Sequence, residues 1–365
     1  MSNDMNILIS LIVIKRKNKK IFIFILIIIL ILTSYLLLVK NKRNIKLKKL
    51  NFENISHIFN YSLKYEEFDE NINEEYIQLQ NYFCEKQNTS LILEYENKII
   101  KADVNFFGKK FEMFVYKRND AVSYSIIKLN NWEGSHSLNV LKALEYYSNK
   151  KNIKNNDIYL LDIGSNVGWY SFYLGKFGYK ILSFEANEIN NYILYKNYCM
   201  NKDVNIILIN KGLDIEDKTC ILRTAANNKG NGMILCDNRE KYLKFFDGDS
   251  YSNIKLTKLS RYYKYLFNKN LAFIKIDVEG SEANVIEGGK ELITKYHVPF
   301  IKLEFDVKMI EAHRNNALEF LQFFENNGYK ICLSDFFCKR YTSPSEIIKI
   351  KGILNLFIVY EKFLE

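Results

Sequence analysis

The stretch LLDIGSNVGWYS, residues 160–171, decides the fold. It closes an apolar run, IYLLDI (158–163), that has no polar period, as expected of a parallel strand buried on both faces. An acidic residue, Asp162, stands at the strand's end, and Gly164 and Gly168 follow in a tight turn before the helical run VGWYSFYLGKFG. Glycine lets backbone approach a ligand closely, and the first turn of a helix presents free N–H groups. In open α/β sheets, ligands bind outside the carboxyl ends of such strands. Asp162, Gly164, Ser165, Asn166 and Gly168 are therefore candidate cofactor-binding residues. A plain strand–turn–helix joint is the competing reading, but it does not require two glycines and an acidic strand end together.

Moving outward, the next strand, KILSFE (180–185), ends in Glu185, 23 residues after Asp162. A carboxylate at an offset of about 20 residues suits both hydroxyls of a ribose. A dinucleotide enzyme would show G-x-G-x-x-G, and Asn166 occupies the second glycine position here. The spacing therefore fits a nucleoside without a pyrophosphate and argues against a nicotinamide-dependent oxidoreductase.

Strand and helix patterns keep alternating: VNIILIN (204–210), LAFIKID (271–277), the helical SEANVIEGGKELITKY, PFIKLEF (299–305), the helical NALEFLQFFENNG, then YKICL and NLFIVYE. This alternation predicts a mostly parallel sheet covered on both faces. SLNVLKALEYY (137–147) has the spacing of an amphipathic helix before the first strand, and VNFFGKKFEMFVYKR has strand character. Between 212 and 260, TCILRT and NIKLTKL read as short strands around a loop, NNKGNG. FIKIDVEGSEANVIEGG (273–289) puts Asp277 and Glu279 at the end of a buried strand. An acidic pair there is costly unless it meets a ligand or caps the next helix, for which Ser281 and Glu282 are also available.

Together these motifs resemble the FkbM family of methyltransferases. DIGSNVGWYSFYLGKFGYKILSFEAN is similar to that family's first two strand units, and IKIDVEGSEANVIEGG to its fourth-strand motif. NNWEGSHSLNVLKALEYY, with Trp132 and Glu133, is similar to the segment preceding the fold, which adds Glu133 to the candidate cofactor-binding residues. The resemblance spans roughly residues 103–361. It implies a Rossmann-like class I methyltransferase fold, a seven-stranded sheet with one antiparallel strand near its edge. It also implies S-adenosylmethionine as cofactor and a hydroxyl on a glycan or small metabolite as methyl acceptor. Asp277 and Glu279 are the candidate catalytic pair, with Glu304 a further candidate base. One departure is visible: the family usually has Leu-Asp before the fourth-strand unit, and Leu259 is followed here by Ser260. A catalytically silent module that keeps the fold is the alternative function. His136 and His313 read as surface residues.

The chain's net charge of +10 is not spread over this domain. Eleven Lys and Arg and no Asp or Glu fall between residues 15 and 49, so the remainder is nearly neutral. A nucleic-acid enzyme carries its basic footprint on the folded domain, and none is expected here. The basic residues flank IFIFILIIILILTSYLLLV, residues 21–39, which has the length and apolarity of a membrane-spanning helix. The sequence thus divides into a tail (1–20), a single-pass anchor (21–39), a basic stalk and stem (40–100) and a catalytic domain (101–365). Sequons at Asn54, Asn60 and Asn88 follow the anchor and favour a domain in the lumen of the endoplasmic reticulum or Golgi. The six cysteines form no CxxC pair, so no zinc site is expected, and no residue is assigned to a metal.

Overall fold

The computed structural model describes residues 72–85, 93–236 and 249–365. The apolar segment 21–39, the basic clusters around it and the three sequons lie outside the described residues. Among the described residues no helix is long and apolar enough to cross a membrane.

The described residues open with helix α1 (Ile72–Glu85) and a hairpin of β1 (Ile99–Phe106) and β2 (Lys109–Tyr116). Helix α2 (Ala121–Leu129) starts where Asp120 accepts a hydrogen bond from the Ser123 amide, and stops at Asn130 in the left-handed region. Helix α3 (Gly134–Lys151) leads into β3 (Ile158–Ile163), every residue of which is buried. There follow α4 (Trp169–Gly175), β4 (Lys180–Phe184), α5 (Glu188–Met200) and β5 (Asn205–Ile209). Four strands come next: β6 (Gly212–Leu213), β7 (Lys218–Ala225), β8 (Asn228–Leu235) and β9 (Ser250–Thr257). The alternation resumes with β10 (Asn270–Ile276), α6 (Glu282–Tyr296), β11 (Phe300–Phe305), α7 (Val307–Ala312) and α8 (Ala317–Asn326). Strands β12 (Tyr329–Cys332) and β13 (Leu354–Tyr360) complete the sheet.

The main sheet has seven strands in the order β12-β13-β11-β10-β3-β4-β5. β13 runs antiparallel to both neighbours, and the rest are parallel. This is the seven-stranded arrangement with one antiparallel strand that the resemblance implied. Leu161, Ile274 and Ile301 of the central strands share one core with Ile286 and Leu292 of α6 and Leu321 of α8. Burying each such side chain contributes roughly 1.5–3 kcal/mol.

Two differences from the sequence reading have physical causes. The stem is expected to run to residue 100, yet α1 within it packs on the edge of the sheet. β5 is an edge strand, and an open edge invites unwanted pairing. Gln80 covers it: its amide nitrogen donates to the Ile206 carbonyl (3.0 Å) and its amide oxygen accepts from the Leu208 N–H (2.9 Å). A disulfide between Cys84 and Cys199 fastens the same helix to α5. The expected domain start at 101 also falls inside β1. The second difference is NNKGNG, read as a loop and found largely within β8. Its glycines weaken a strand intrinsically, but Gly232 is packed so closely on Leu222 that a Cβ would lie 2.7 Å from it. β6, β9, β7 and β8 form a separate four-stranded sheet, stapled by a Cys220–Cys236 disulfide. A third disulfide joins Cys332 and Cys338, so no cysteine is free.

Candidate active site

The carboxyl ends of β3, β4, β10 and β11 open onto a cleft of about 230 Å³. β3 ends at Ile163, and the chain then turns through three left-handed residues in five: Gly164 (φ 74°), Asn166 (φ 53°) and Gly168 (φ 95°). Gly164 has no room for a side chain, because a Cβ would lie 1.9 Å from the Asp277 carbonyl oxygen. The turn after β3 and the end of β10 are thus in direct contact, which the Asp277 N–H bond to the Ile163 carbonyl (3.1 Å) reinforces.

Glu185 follows β4 directly and faces this turn. Its carboxylate accepts the Asn166 amide (2.7 Å) and the Asn187 amide (2.7 Å). Burial is the largest influence on it and pushes its pKa up to about 7, against the lowering effect of those two N–H bonds. A carboxylate has about four acceptor positions, so capacity remains for ligand hydroxyls. Asn166 Oδ1 is buried without a hydrogen-bond partner. An unpartnered buried acceptor beside a glycine cradle and a carboxylate with acceptor capacity to spare fits a nucleoside cofactor.

Asp277, Glu279 and Glu304 form the opposite wall. Each has a carboxylate oxygen within 4.8 Å of the others, a set able to share protons or to hold a cation. Glu279 is held in the left-handed region (φ 55°), a conformation that costs a non-glycine residue free energy. Burial, then the negative charges of Asp277 and Glu282, raise its pKa to about 7, and a bond to the Asn231 side chain opposes them. Glu304 is raised by burial and by Asp277 and Glu279. The carboxylate that turns back on the loop before α6 is Glu282, which accepts the Val278 amide (2.9 Å). Ser281 makes no side-chain cap. Among the described residues no cap bond engages Asp277 or Glu279, so helix capping does not explain the pair.

The structure separates the expected site residues into two groups. Gly164, Asn166, Glu185, Asp277, Glu279 and Glu304 line the cleft. Asp162, Ser165, Gly168 and Glu133, also expected at the cofactor, are not among the residues that line it. Asp162 is buried against Ser171, whose hydroxyl donates to it (2.6 Å). The Ser165 hydroxyl turns into the protein, donating to the Phe184 carbonyl (3.1 Å). Gly168 begins α4 and packs against Leu194 and Phe172. Glu133 accepts the Tyr170 hydroxyl (2.8 Å) and pairs with Lys302 (3.0 Å) and His136 (3.3 Å), which hold its carboxyl below the usual range despite burial. His136 thus belongs to a half-buried polar network rather than to the bare surface.

Sequence reasoning passed over Lys211, Gly212 and Leu213 after β5, and Gly230 and Asn231 of β8, which also line the cleft. β8 reaches the site because α2 and α5 pin its backbone. The Gly230 N–H donates to Asp120 (3.0 Å), and Asn190 donates to the Gly230 carbonyl (3.0 Å). No local signal in NNKGNG announces that contact. The buried lysines Lys275 and Lys302 were also missed, though each stands between apolar neighbours in its strand and could have been noticed for that.

Among solved structures, similarity is distant. The bifunctional kinase-methyltransferase WbdD aligns with a TM-score of 0.34 and 11% identity over 62% of this chain, which spans only 39% of that protein. A precorrin-6y C5,15-methyltransferase from Geobacter metallireducens GS-15 aligns at 0.29 and 11% identity, over 60% of this chain and 87% of its own. M. jannaschii TYW2, solved in complex with AdoMet, aligns at 0.28 and 13% identity, over 71% and 84%. No curated protein matches the sequence. The family model described as the methyltransferase FkbM domain matches residues 162–331, the interval that holds the Gly164 turn, Glu185 and the Asp277–Glu279–Glu304 wall. Over those residues the chain is similar to the methyltransferase FkbM domain.

Proposed function

We propose that this protein transfers a methyl group from S-adenosylmethionine to a hydroxyl of a glycan or small metabolite. The observation that carries the reading is the pairing of the Gly164–Asn166 turn with Glu185 across one cleft, opposite three carboxylates. Gly164, Asn166 and Glu185 would hold the cofactor, with Glu185 suited to the ribose hydroxyls. The cofactor supplies an electrophilic methyl group on a sulfonium. Asp277, Glu279 and Glu304 face the same space, where an acceptor hydroxyl must lose a proton. A carboxylate raised toward neutrality is a suitable base for that step.

The protein starting at residue 51 is expected to bind S-adenosylmethionine or its demethylated product in calorimetry. Binding of a nicotinamide dinucleotide instead would overturn the reading. Glu185→Ala is expected to weaken the interaction by about 1.5–3 kcal/mol, the scale of hydrogen bonds to a charged group. Product formation with a labelled methyl donor, across a panel of glycans and hydroxylated metabolites, excludes a catalytically silent module.

The domain is further proposed to work in the lumen of the secretory pathway, tethered through residues 21–39. Three disulfides involving all six cysteines support this, because such bonds persist in oxidising compartments. The three sequons point the same way. In sealed microsomes the domain should be protease-protected, and replacing Asn54, Asn60 and Asn88 together should abolish a glycosylation mobility shift. A protease-accessible, unglycosylated domain would reverse the topology.

A further inference from the structure

Strands buried on both faces are normally apolar, and a buried ammonium persists only where it is paired. Here Asp162, Lys275 and Lys302 lie in register across β3, β10 and β11, all of them buried. The two lysines have different partners. Lys302 meets Glu133 (3.0 Å) and the Tyr170 ring, neither of which lines the cleft. Lys275 points at the cleft's own framework. Its ammonium donates to the Gly164 carbonyl (2.6 Å) and pairs with Asp277 Oδ2 (3.3 Å), while Asp162 Oδ1 lies 3.8 Å away as a buried countercharge. Asp162 Oδ1 has no hydrogen-bond partner of its own, Ser171 bonding only the other oxygen, so Lys275 is the group that faces it.

Gly164 belongs to the turn that would receive the cofactor, and Asp277 to the acidic wall that would face the acceptor. Both line the cleft, and their backbones already touch. We propose that Lys275 is a positioning residue that locks the Gly164 turn and the Asp277 carboxylate into one rigid unit, so that cofactor and acidic wall keep a fixed relation. This rests on the reading of the cleft as the cofactor's site. The reasoning is geometric: one ammonium, held in place by burial, bonds to two different strand ends whose separation decides whether methyl group and acceptor meet.

The test uses purified full-length protein, S-adenosylhomocysteine as the binding probe, and initial rates with the labelled methyl donor. Lys275→Met is expected to weaken probe binding at least tenfold and to lower kcat at least tenfold. Lys302→Met, which removes an equally buried lysine, should lower Tm while probe affinity stays within about threefold. Parent-like binding and kcat in Lys275→Met would overturn the proposal, as would an equal loss in Lys302→Met. If Lys275→Met does not fold, the charge-balanced pair Asp162→Asn with Lys275→Met replaces it, because no bare charge is then buried. That pair should fold and still bind the probe at least tenfold more weakly. Its failure to fold, or its parent-like affinity, would assign Lys275 a structural role only and overturn the proposal. Absence of probe binding by the parent protein would instead sink the cofactor reading on which the proposal stands.

Discussion

Glu279→Gln is expected to lower turnover on the order of 100-fold or more, while cofactor affinity and Tm stay close to those of the parent. Glutamine keeps the size and much of the hydrogen bonding of the side chain but cannot accept the acceptor's proton. The pH dependence separates a lost base from a lost contact. With its pKa raised to about 7 by burial and by the charges of Asp277 and Glu282, Glu279 must lose its proton before it can act. Parent activity should therefore rise with pH through about 7, and the variant should lack that limb. The linkage to stability has the opposite sign. A carboxyl raised in the folded state stabilises the fold fully below its ordinary value near 4.5, and that contribution is lost as pH rises through about 7. The ionised side chain thus opposes folding at pH 8, where its neutral replacement should leave Tm unchanged or slightly higher. Near-normal turnover would remove Glu279 as the base and move attention to Asp277 and Glu304, the other members of the cluster.

Gly164→Ala is expected to do more damage than its single added methyl suggests. The residue has φ 74°, where any L side chain is strained, at a cost of roughly 1–3 kcal/mol. The added Cβ would also lie 1.9 Å from the Asp277 carbonyl oxygen, a backbone atom that cannot rotate away. The turn and the end of β10 must separate, and with them the two walls of the cleft. A fall in stability of at least about 2 kcal/mol is expected, together with a loss of cofactor affinity on the order of 30-fold. Thermal unfolding and calorimetry on the same preparation measure both. Parent-like affinity would show that the turn does not carry the cofactor. An unchanged Tm would show that the contact with Asp277 is slack.

The contrast between these two residues and those that do not line the cleft marks what a linear reading can reach. Gly164, Glu185, Asp277 and Glu279 were legible because strand ends, glycine spacing and acidic residues are local features. A parallel sheet brings all strand ends to one edge, so the order of elements already placed these residues together. Asp162, Ser165 and Glu133 belong to the same local motifs, yet their side chains turn inward, and Gly168 is closed in by Leu194 and Phe172. Which face a turn residue presents depends on partners distant in sequence: Ser171, Phe184, Leu194 and Lys302.

The sequence by itself determined the alternation of strands and helices, the parallel core and the acidic ends of the first, second and fourth strand units. Hydrophobic runs and glycines carry those signals within a few residues. Only the tertiary structure decided that α1 belongs to the domain, since its role is to satisfy the open edge of β5 through Gln80, more than 120 residues away. It also decided that a glycine-rich segment would run as β8 beside the Gly164–Asn166 turn, where hydrogen bonds with Asp120 and Asn190 override weak strand propensity. The buried row of Asp162, Lys275 and Lys302 follows the same rule. A lysine among apolar residues is an anomaly in one strand, and its meaning appears only when strand register sets a countercharge beside it.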